Sequence, residues 1–163
     1  MKRSRALLAT AVFLCLAPGI IAGLIPFWIS RWEAQPPFFG VEQLRWLGVL
    51  IIVLGLPVLL ESFGRFALEG LGTPAPVLPT KHLVVKGFYR YVRNPMYVAV
   101  VSIIIGQGLL FGNAYLLVYA VVVWSGFHGF VLLYEEPKLR KTYGAEYETY
   151  SGWVPRWIPR ITH

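Results

Sequence analysis

The longest uncharged part of the chain, from Asn94 to Tyr134, contains no Asp, Glu, Lys or Arg. A turn dipeptide, Gly112-Asn113, divides it into two apolar stretches of about 17 and 21 residues, lengths that cross or nearly cross a bilayer as helices. This pattern predicts a helical hairpin within a membrane. Because such a hairpin returns to the side on which it started, its two polar ends are expected at the same membrane face.

Two more apolar blocks precede the hairpin. Residues 6–30 follow a basic start and are long enough for a first membrane span. A cleavable signal peptide is the alternative, since a basic start followed by an apolar region fits that plan too. Residues 46–60 form a shorter block, which Glu61, Arg65 and Glu69 at i,i+4 spacing predict to continue as a helix beyond the bilayer.

Basic residues are distributed unevenly over this pattern. All 15 Lys and Arg residues except Arg31 and Arg45 fall within residues 1–5, 61–94 and 135–163. Cytoplasmic segments carry an excess of Lys and Arg, so this distribution places both termini and the loop before the hairpin in the cytoplasm. We therefore predict an all-α, polytopic membrane helical bundle of about four transmembrane helices, with a cytoplasmic connecting loop and a C-terminal interfacial helix.

The composition limits the classes of function. A net charge of +7 could indicate nucleic acid, but the Lys and Arg residues stand at the ends of apolar blocks, where they meet anionic lipid head groups. Cys15 is the one cysteine and the three histidines lack metal-ligand spacing, so no metal is expected. The chain is interpreted as a single integral membrane domain, residues 1–163, surrounded by membrane lipids and without a nucleic-acid partner.

Polar clusters flank the hairpin on both sides. Before it, Asn94-Pro95 predicts a helix entry, whose free amides favour an anionic group. After it stand Glu135 and Glu136, carboxylates that oppose the dipole of the helix that they end and are therefore candidates for binding. The alternative is an ordinary belt of aromatic and charged residues that anchors the spans at the membrane surface.

Several motifs of these clusters resemble two related families of membrane-embedded methyltransferases. The isoprenylcysteine carboxyl methyltransferases are similar at Gly87-x-Tyr89-x-x-x-Arg93-x-Pro95-x-Tyr97, at the glutamates and at Tyr143-Gly144-x-x-Tyr147-x-x-Tyr150. The phospholipid N-methyltransferases are similar at Asn94-Pro95-Met96-Tyr97 and Leu133-Tyr134-Glu135-Glu136-Pro137. The resemblance covers roughly residues 68–160 and implies an S-adenosylmethionine-dependent methyltransferase with a lipophilic acceptor.

The resemblance also implies site residues on both sides of the hairpin. The cofactor-binding positions that it implies are His82, Leu83, Val84, Tyr89, Asn94, Pro95, Tyr97, Glu135 and Glu136, with Gly70 and Gly72 as a weaker match. Arg90 and Arg93 either hold an anionic group of the cofactor or substrate, or anchor the chain at the surface. His128 lies seven residues before Glu135, a spacing that puts both on one helix face, and it is either a catalytic base or a buried structural histidine.

The acceptor is the least determined part of the prediction. Val131 stands where the isoprenylcysteine enzymes resembled here carry a substrate-binding arginine, and Asn94 stands where they carry histidine. We expect a lipid-like or prenyl carboxylate because the longer motifs match the carboxyl enzymes, with a phospholipid amine as the alternative. A small membrane transporter or assembly protein is the alternative outside enzymes, although the spans contain no carboxylate of the kind that marks transport pathways.

Overall fold

The computed structural model describes residues 8, 12–13, 15–68 and 83–160, and this part of the chain contains helices and no β-strand. The α-helices, in chain order, are α1 (Ile25–Ser30), α2 (Gln43–Leu68), α3 (Pro95–Phe111), α4 (Ala114–Phe130), α5 (Glu136–Tyr143) and α6 (Ala145–Trp153). Two π-helical turns, Ile20–Leu24 and Val131–Glu135, lead into α1 and α5, and two 3₁₀ turns cover Phe38–Gly40 and Gly87–Arg90. The predicted all-α class is confirmed for these residues.

Helix α2 extends well beyond the apolar block that predicted it. It has 26 residues and contains the ion pair between Arg65 and Glu61, one turn apart. The predicted extension of this helix past the apolar block is therefore confirmed as far as Leu68. Glu69, the third member of the predicted i,i+4 series, lies outside the described residues.

Helices α2 and α3 approach each other through glycine. A Cβ atom on Gly48 would lie 2.5 Å from the carbonyl oxygen of Gly106, and a Cβ on Gly106 would lie 2.8 Å from the carbonyl oxygen of Gly48. Such distances are possible only when neither residue has a side chain, so the two backbones touch. Gly106 therefore serves the packing of the two helices.

The predicted hairpin turn joins α3 to α4. Gly112 adopts a left-handed conformation with φ of 65° at the end of α3, and the Asn113 side chain caps α4 by accepting a hydrogen bond from Leu116 N at 3.3 Å. Above the turn, the helices share one core. Its buried residues are Leu59, Phe63, Ala99, Val100, Ile103, Ile104 and Ala120.

A buried glutamine ties the first helical stretch to the hairpin. The Gln107 side chain donates to the carbonyl oxygen of Ala22 at 2.7 Å and accepts from the indole N–H of Trp32 at 3.2 Å. Gln107 is 7% exposed, so these bonds satisfy a polar group that burial would otherwise penalise. They fix the chain around α1 against α3.

Two helical stretches in the described part of the chain are long and apolar enough to cross a membrane. They are Gln43–Arg65 and Ala114–Tyr143, the second of which runs through α4, the π-helical turn and α5 without interruption. Cys15–Ser30 and Pro95–Phe111 are shorter apolar helices. The arrangement of four spans stays a prediction.

Candidate functional site

The segment that enters α3, residues 87–94, is called the entry segment. Gly87 adopts a φ of 62°, in the left-handed region that favours glycine, and its α-carbon lies directly against the Glu61–Arg65 pair of α2. Any side chain at this position would collide with that pair. The polar end of α2 therefore supports the entry segment and fixes where its tyrosines and arginines lie.

Tyr97 and Glu135 form the first polar contact of the site. The Tyr97 hydroxyl donates a hydrogen bond to Oε2 of Glu135 at 2.9 Å, and the Tyr97 ring stacks on Phe127 with centroids 4.5 Å apart. Tyr97 comes from the first turn of α3, whereas Phe127 and Glu135 come from α4 and the π-helical turn after it. A carboxylate beside aromatic rings is a suitable environment for an organic cation.

Glu136 has a different set of partners from its neighbour Glu135. It is 5% exposed and accepts from Arg156 Nε at 2.6 Å, from Arg156 Nη2 at 3.0 Å and from Arg93 Nη1 at 3.1 Å. Arg93 also donates to the Tyr147 hydroxyl at 3.2 Å. Two guanidinium groups share one carboxylate, so the cluster carries one net positive charge.

The chain after α6, residues 154–160, is called the C-terminal segment and is joined to the entry segment by several hydrogen bonds. The Arg93 amide donates to Pro155 O at 2.9 Å, the Asn94 side chain donates to Arg156 O at 3.0 Å, and the Arg160 amide donates to Tyr91 O at 2.9 Å. Most of these bonds involve backbone atoms, which makes the contact independent of many side-chain identities. The entry and C-terminal segments therefore form one layer.

Tyrosines of this layer and of the adjoining helix α6 are held in the neutral form. Burial raises the pKa of Tyr89 well above its ordinary value, and the charge of Glu135 raises it further. Burial likewise raises the pKa of Tyr150, whose hydroxyl donates to Tyr89 O at 2.7 Å, and that of Tyr147. The hydrogen bond to Glu136 raises the pKa of Arg156 as well. For a guanidinium group a raised pKa favours the charged form, so Arg156 stays positively charged.

His128 lies in an aromatic cluster with two tryptophans. The Trp157 indole N–H donates to His128 Nδ1 at 3.0 Å, and the Trp124 ring stacks on the imidazole with centroids 5.1 Å apart. Because Nδ1 of a neutral imidazole accepts only when the proton is on Nε2, this contact selects the Nε2–H tautomer. His128 then presents a donor to any further partner.

The predicted shared face of His128 and Glu135 is wrong. The π-helical turn Val131–Glu135 places one additional residue between them, which rotates the rest of the helix by about 100° relative to an uninterrupted α-helix. His128 consequently bonds to Trp157, whereas Glu135 bonds to Tyr97.

The other predicted site residues differ in their surroundings. Leu83 is half-buried and Val84 buried in the irregular chain before the entry segment, and Asn94 and Pro95 are buried at the start of α3. Arg90 is exposed, with its guanidinium carbon 5.9 Å from the centroid of the Tyr91 ring, so it does not share the contacts of Arg93. His82, Gly70 and Gly72 lie outside the described residues.

Arg156 and Trp157, like Phe127 and Trp124, belong to this arrangement but were not predicted as site residues from the sequence. The first two come directly after the Val154-Pro155 dipeptide and supply the main contacts of Glu136 and His128. The position of Glu136 directly after a long apolar stretch did indicate a basic partner, because a carboxylate that becomes buried needs a cation. Nothing in the spacing distinguished Arg156 from other basic residues of the tail.

The chain is similar to known proteins in two comparisons. The family model described as phospholipid methyltransferase matches residues 44–146. A protein of Schizosaccharomyces pombe named protein-S-isoprenylcysteine O-methyltransferase is 38% identical over 80 residues, which cover 48% of this chain and 34% of that protein. The match thus spans about a third of the length of the relative.

Proposed function

Since the chain belongs to the phospholipid methyltransferase family, we propose that it is an integral membrane enzyme that uses S-adenosylmethionine to methylate a lipid-like acceptor. The observation that carries this proposal is the Tyr97–Glu135 pair packed on Phe127. S-adenosylmethionine supplies an electrophilic methyl group on a sulfonium cation. A carboxylate with two flanking aromatic rings provides both of the interactions that favour such a cation.

The carboxylate of the cofactor would be bound by positively charged groups near the entry and C-terminal segments. The Arg93–Arg156–Glu136 cluster has one net positive charge, and the entry to α3 presents free amides, so both favour an anionic carboxylate. Tyr89, Asn94 and Pro95 belong to the same layer. We propose His82, Leu83, Val84, Gly70 and Gly72 as further cofactor contacts on the strength of the family resemblance.

The residues of this layer need to orient the reactants rather than to react covalently. Direct displacement of a methyl group requires the acceptor atom in line with the donor bond and an environment from which water is excluded. The buried positions of Tyr89 and Asn94 and the bonded C-terminal segment support exclusion of water. The side chains hold both reactants, and no step requires a nucleophile from the chain.

A carboxylate is the acceptor that the His128 geometry favours. A carboxylic acid, with a pKa near 4, is already ionised at neutral pH, whereas an amine, with a pKa of about 10, must first lose a proton to a base. His128 accepts from Trp157 at Nδ1, so its remaining nitrogen carries a proton and can donate to an acceptor oxygen. We therefore propose a prenyl or other lipid-like carboxylate, the class also indicated by the name of the S. pombe relative.

A phospholipid amine is the second candidate acceptor, favoured by the description of the matching family and by Asn94. In that reaction a base has to take the proton: either His128, after releasing its bond from Trp157 at Nδ1, or Glu135, the carboxylate next to the proposed cation site. The two acceptors leave different products. Methylation of a carboxylate gives an ester that mild alkali cleaves, while a methylated amine survives the same treatment.

The proposed membrane arrangement is the same as the predicted one. We propose a single domain, residues 1–163, with four spans formed by the two long stretches and the two shorter apolar helices, and with both termini in the cytoplasm. The cofactor would then enter from the cytoplasmic side and the acceptor from the membrane.

The experiment that tests the function is lipid mass spectrometry on cells with and without the protein. We expect a lipid that gains the mass of one methylene group only when the protein is present, and that loses methanol in mild alkali if it is an ester. A Glu135→Gln variant of the same expression level serves as control and should reduce the product. No new methylated lipid, together with no binding of S-adenosylmethionine to the purified protein, would contradict the proposal.

A further inference from the structure

An apolar groove lies where the entry segment packs near α2. It has a volume of about 440 Å³, within the range of ligand sites in proteins. Its walls come from α2, the start of α3, the entry segment and the C-terminal segment. The lining residues are Val58, Phe88, Tyr91, Val92, Pro95, Val98, Pro159 and Arg160.

Two arginines lie at this groove. Arg160 is one of its lining residues, and the guanidinium carbon of Arg90 lies 5.9 Å from the ring of Tyr91, another lining residue. Within the described ranges neither arginine forms an ion pair, whereas Arg93 and Arg156 both pair with Glu136. The groove thus combines an apolar interior with two available cations.

We propose that this groove binds an anionic membrane phospholipid, with one hydrocarbon chain along the apolar walls and the phosphate between Arg90 and Arg160. Basic pockets between membrane helices select anionic head groups, and guanidinium groups bind phosphate through charge-assisted hydrogen bonds. Of the proposed cofactor contacts, Pro95 lines the groove, whereas Tyr97 and Glu135 do not, and neither does His128. The bound phospholipid is accordingly a resident lipid and not the methyl acceptor, so this proposal is independent of the proposed reaction.

Lipid retention measured by native mass spectrometry tests the site. The purified protein in detergent is offered equal amounts of dioleoyl phosphatidylglycerol, which is anionic, and dioleoyl phosphatidylcholine, which is zwitterionic with the same chains. The unmodified protein should prefer phosphatidylglycerol by about tenfold, because both lipids carry the phosphate but the choline ammonium of phosphatidylcholine cancels its charge and is repelled by the two guanidinium groups. Arg90→Gln combined with Arg160→Gln should remove the preference, and Val58→Trp, which fills the groove, should lower retention of both lipids.

The matched control removes two positive charges elsewhere. Arg140→Gln combined with Lys141→Gln alters basic residues on α5 that do not line the groove. This variant should keep the preference for phosphatidylglycerol. The proposal is overturned if the control loses the preference to the same degree, if the unmodified protein shows none, or if the retained phosphatidylglycerol gains a methyl group on addition of S-adenosylmethionine.

Discussion

Arg156 binds Glu136 through both carboxylate oxygens, with Nε 2.6 Å from Oε1 and Nη2 3.0 Å from Oε2. Arg93, which lies 43 residues before the glutamate in the chain, contacts the same Oε1. One carboxylate therefore connects the entry segment, helix α5 and the C-terminal segment. Its removal should affect all three together.

Glu136→Gln should lower the stability of the folded protein by about 3–5 kcal/mol, because it leaves Arg93, whose side chain is only 12% exposed, without its counter-charge. Thermal unfolding in detergent measures this loss. Glu148→Gln is the matched control, since Glu148 pairs with Arg140 at an exposed site where an ion pair contributes about 0–1 kcal/mol. Equal effects of the two variants would show that Glu136 is only a surface anchor.

Glu135→Gln should weaken binding of S-adenosylmethionine by about 1.5–3 kcal/mol, tenfold or more in Kd, while membrane insertion is unchanged. The demethylated product S-adenosylhomocysteine lacks the sulfonium charge, so its affinity should fall much less. Isothermal titration with both ligands gives the comparison. Tyr97→Phe should produce a smaller change of the same kind, because the ring remains on Phe127. Equal losses for the two ligands would exclude a cation contact at Glu135.

If the acceptor is a carboxylate, His128→Ala should cost only the hydrogen bond from Nε2 to the acceptor oxygen, about 0.5–1.5 kcal/mol or about tenfold at most in turnover, and the rate should be flat between about pH 6 and 9. A histidine that served as the base for an amine would instead cost about 10²–10⁴-fold in turnover, with a rate that falls on the acidic side. Trp157→Phe removes the indole donor and frees Nδ1, with the exposed Trp153→Phe as control. An acidic limb together with an inactive His128→Ala would favour the amine.

Gly48→Ala should destabilise the contact between α2 and α3 by about 1–3 kcal/mol, the usual range for overpacking. The new methyl group would meet backbone atoms of Gly106 and Leu110, which cannot move independently of the helix. Gly126→Ala is the control, because a Cβ there meets nothing within 4 Å. Thermal unfolding of both variants should show a loss for the first and no loss for the second.

Topology reporters fused after Gln35 and at the C-terminus should report opposite sides of the membrane. The reason is the concentration of Lys and Arg in the segments predicted to be cytoplasmic, with only Arg31 and Arg45 on the other side. An enzyme that is active only in the cytoplasm and one that is active only outside it make a suitable pair of reporters. The same side for both positions would contradict the four-span arrangement.

The sequence predicted the features that depend on composition and short spacing. The hairpin turn at Gly112-Asn113 and the extension of α2 both result from local rules and are confirmed. The family resemblance is also confirmed by the match to residues 44–146.

The contacts of the glutamates and of His128 could not be predicted in the same way. The partner of Glu136 lies 20 residues later, on a segment whose position depends on how α5 and α6 turn back. A helix face assigned from 3.6-residue periodicity also fails wherever a π-helical turn occurs, as it does between His128 and Glu135. Such a turn leaves no consistent mark in the composition.

The π-helical turn changes the direction in which side chains point from the long helix. Side chains before the turn are oriented by packing against the apolar core, and side chains after it are oriented by Arg93 and Arg156. Loss of a single residue inside Val131–Glu135 would restore one continuous phase and swing both carboxylates by about 100° about the helix axis, with the hydrophobicity of the span almost unchanged. A deletion that leaves the hydropathy profile almost unchanged would therefore keep the apolar helix but move Glu135 away from Tyr97 and Glu136 away from Arg156.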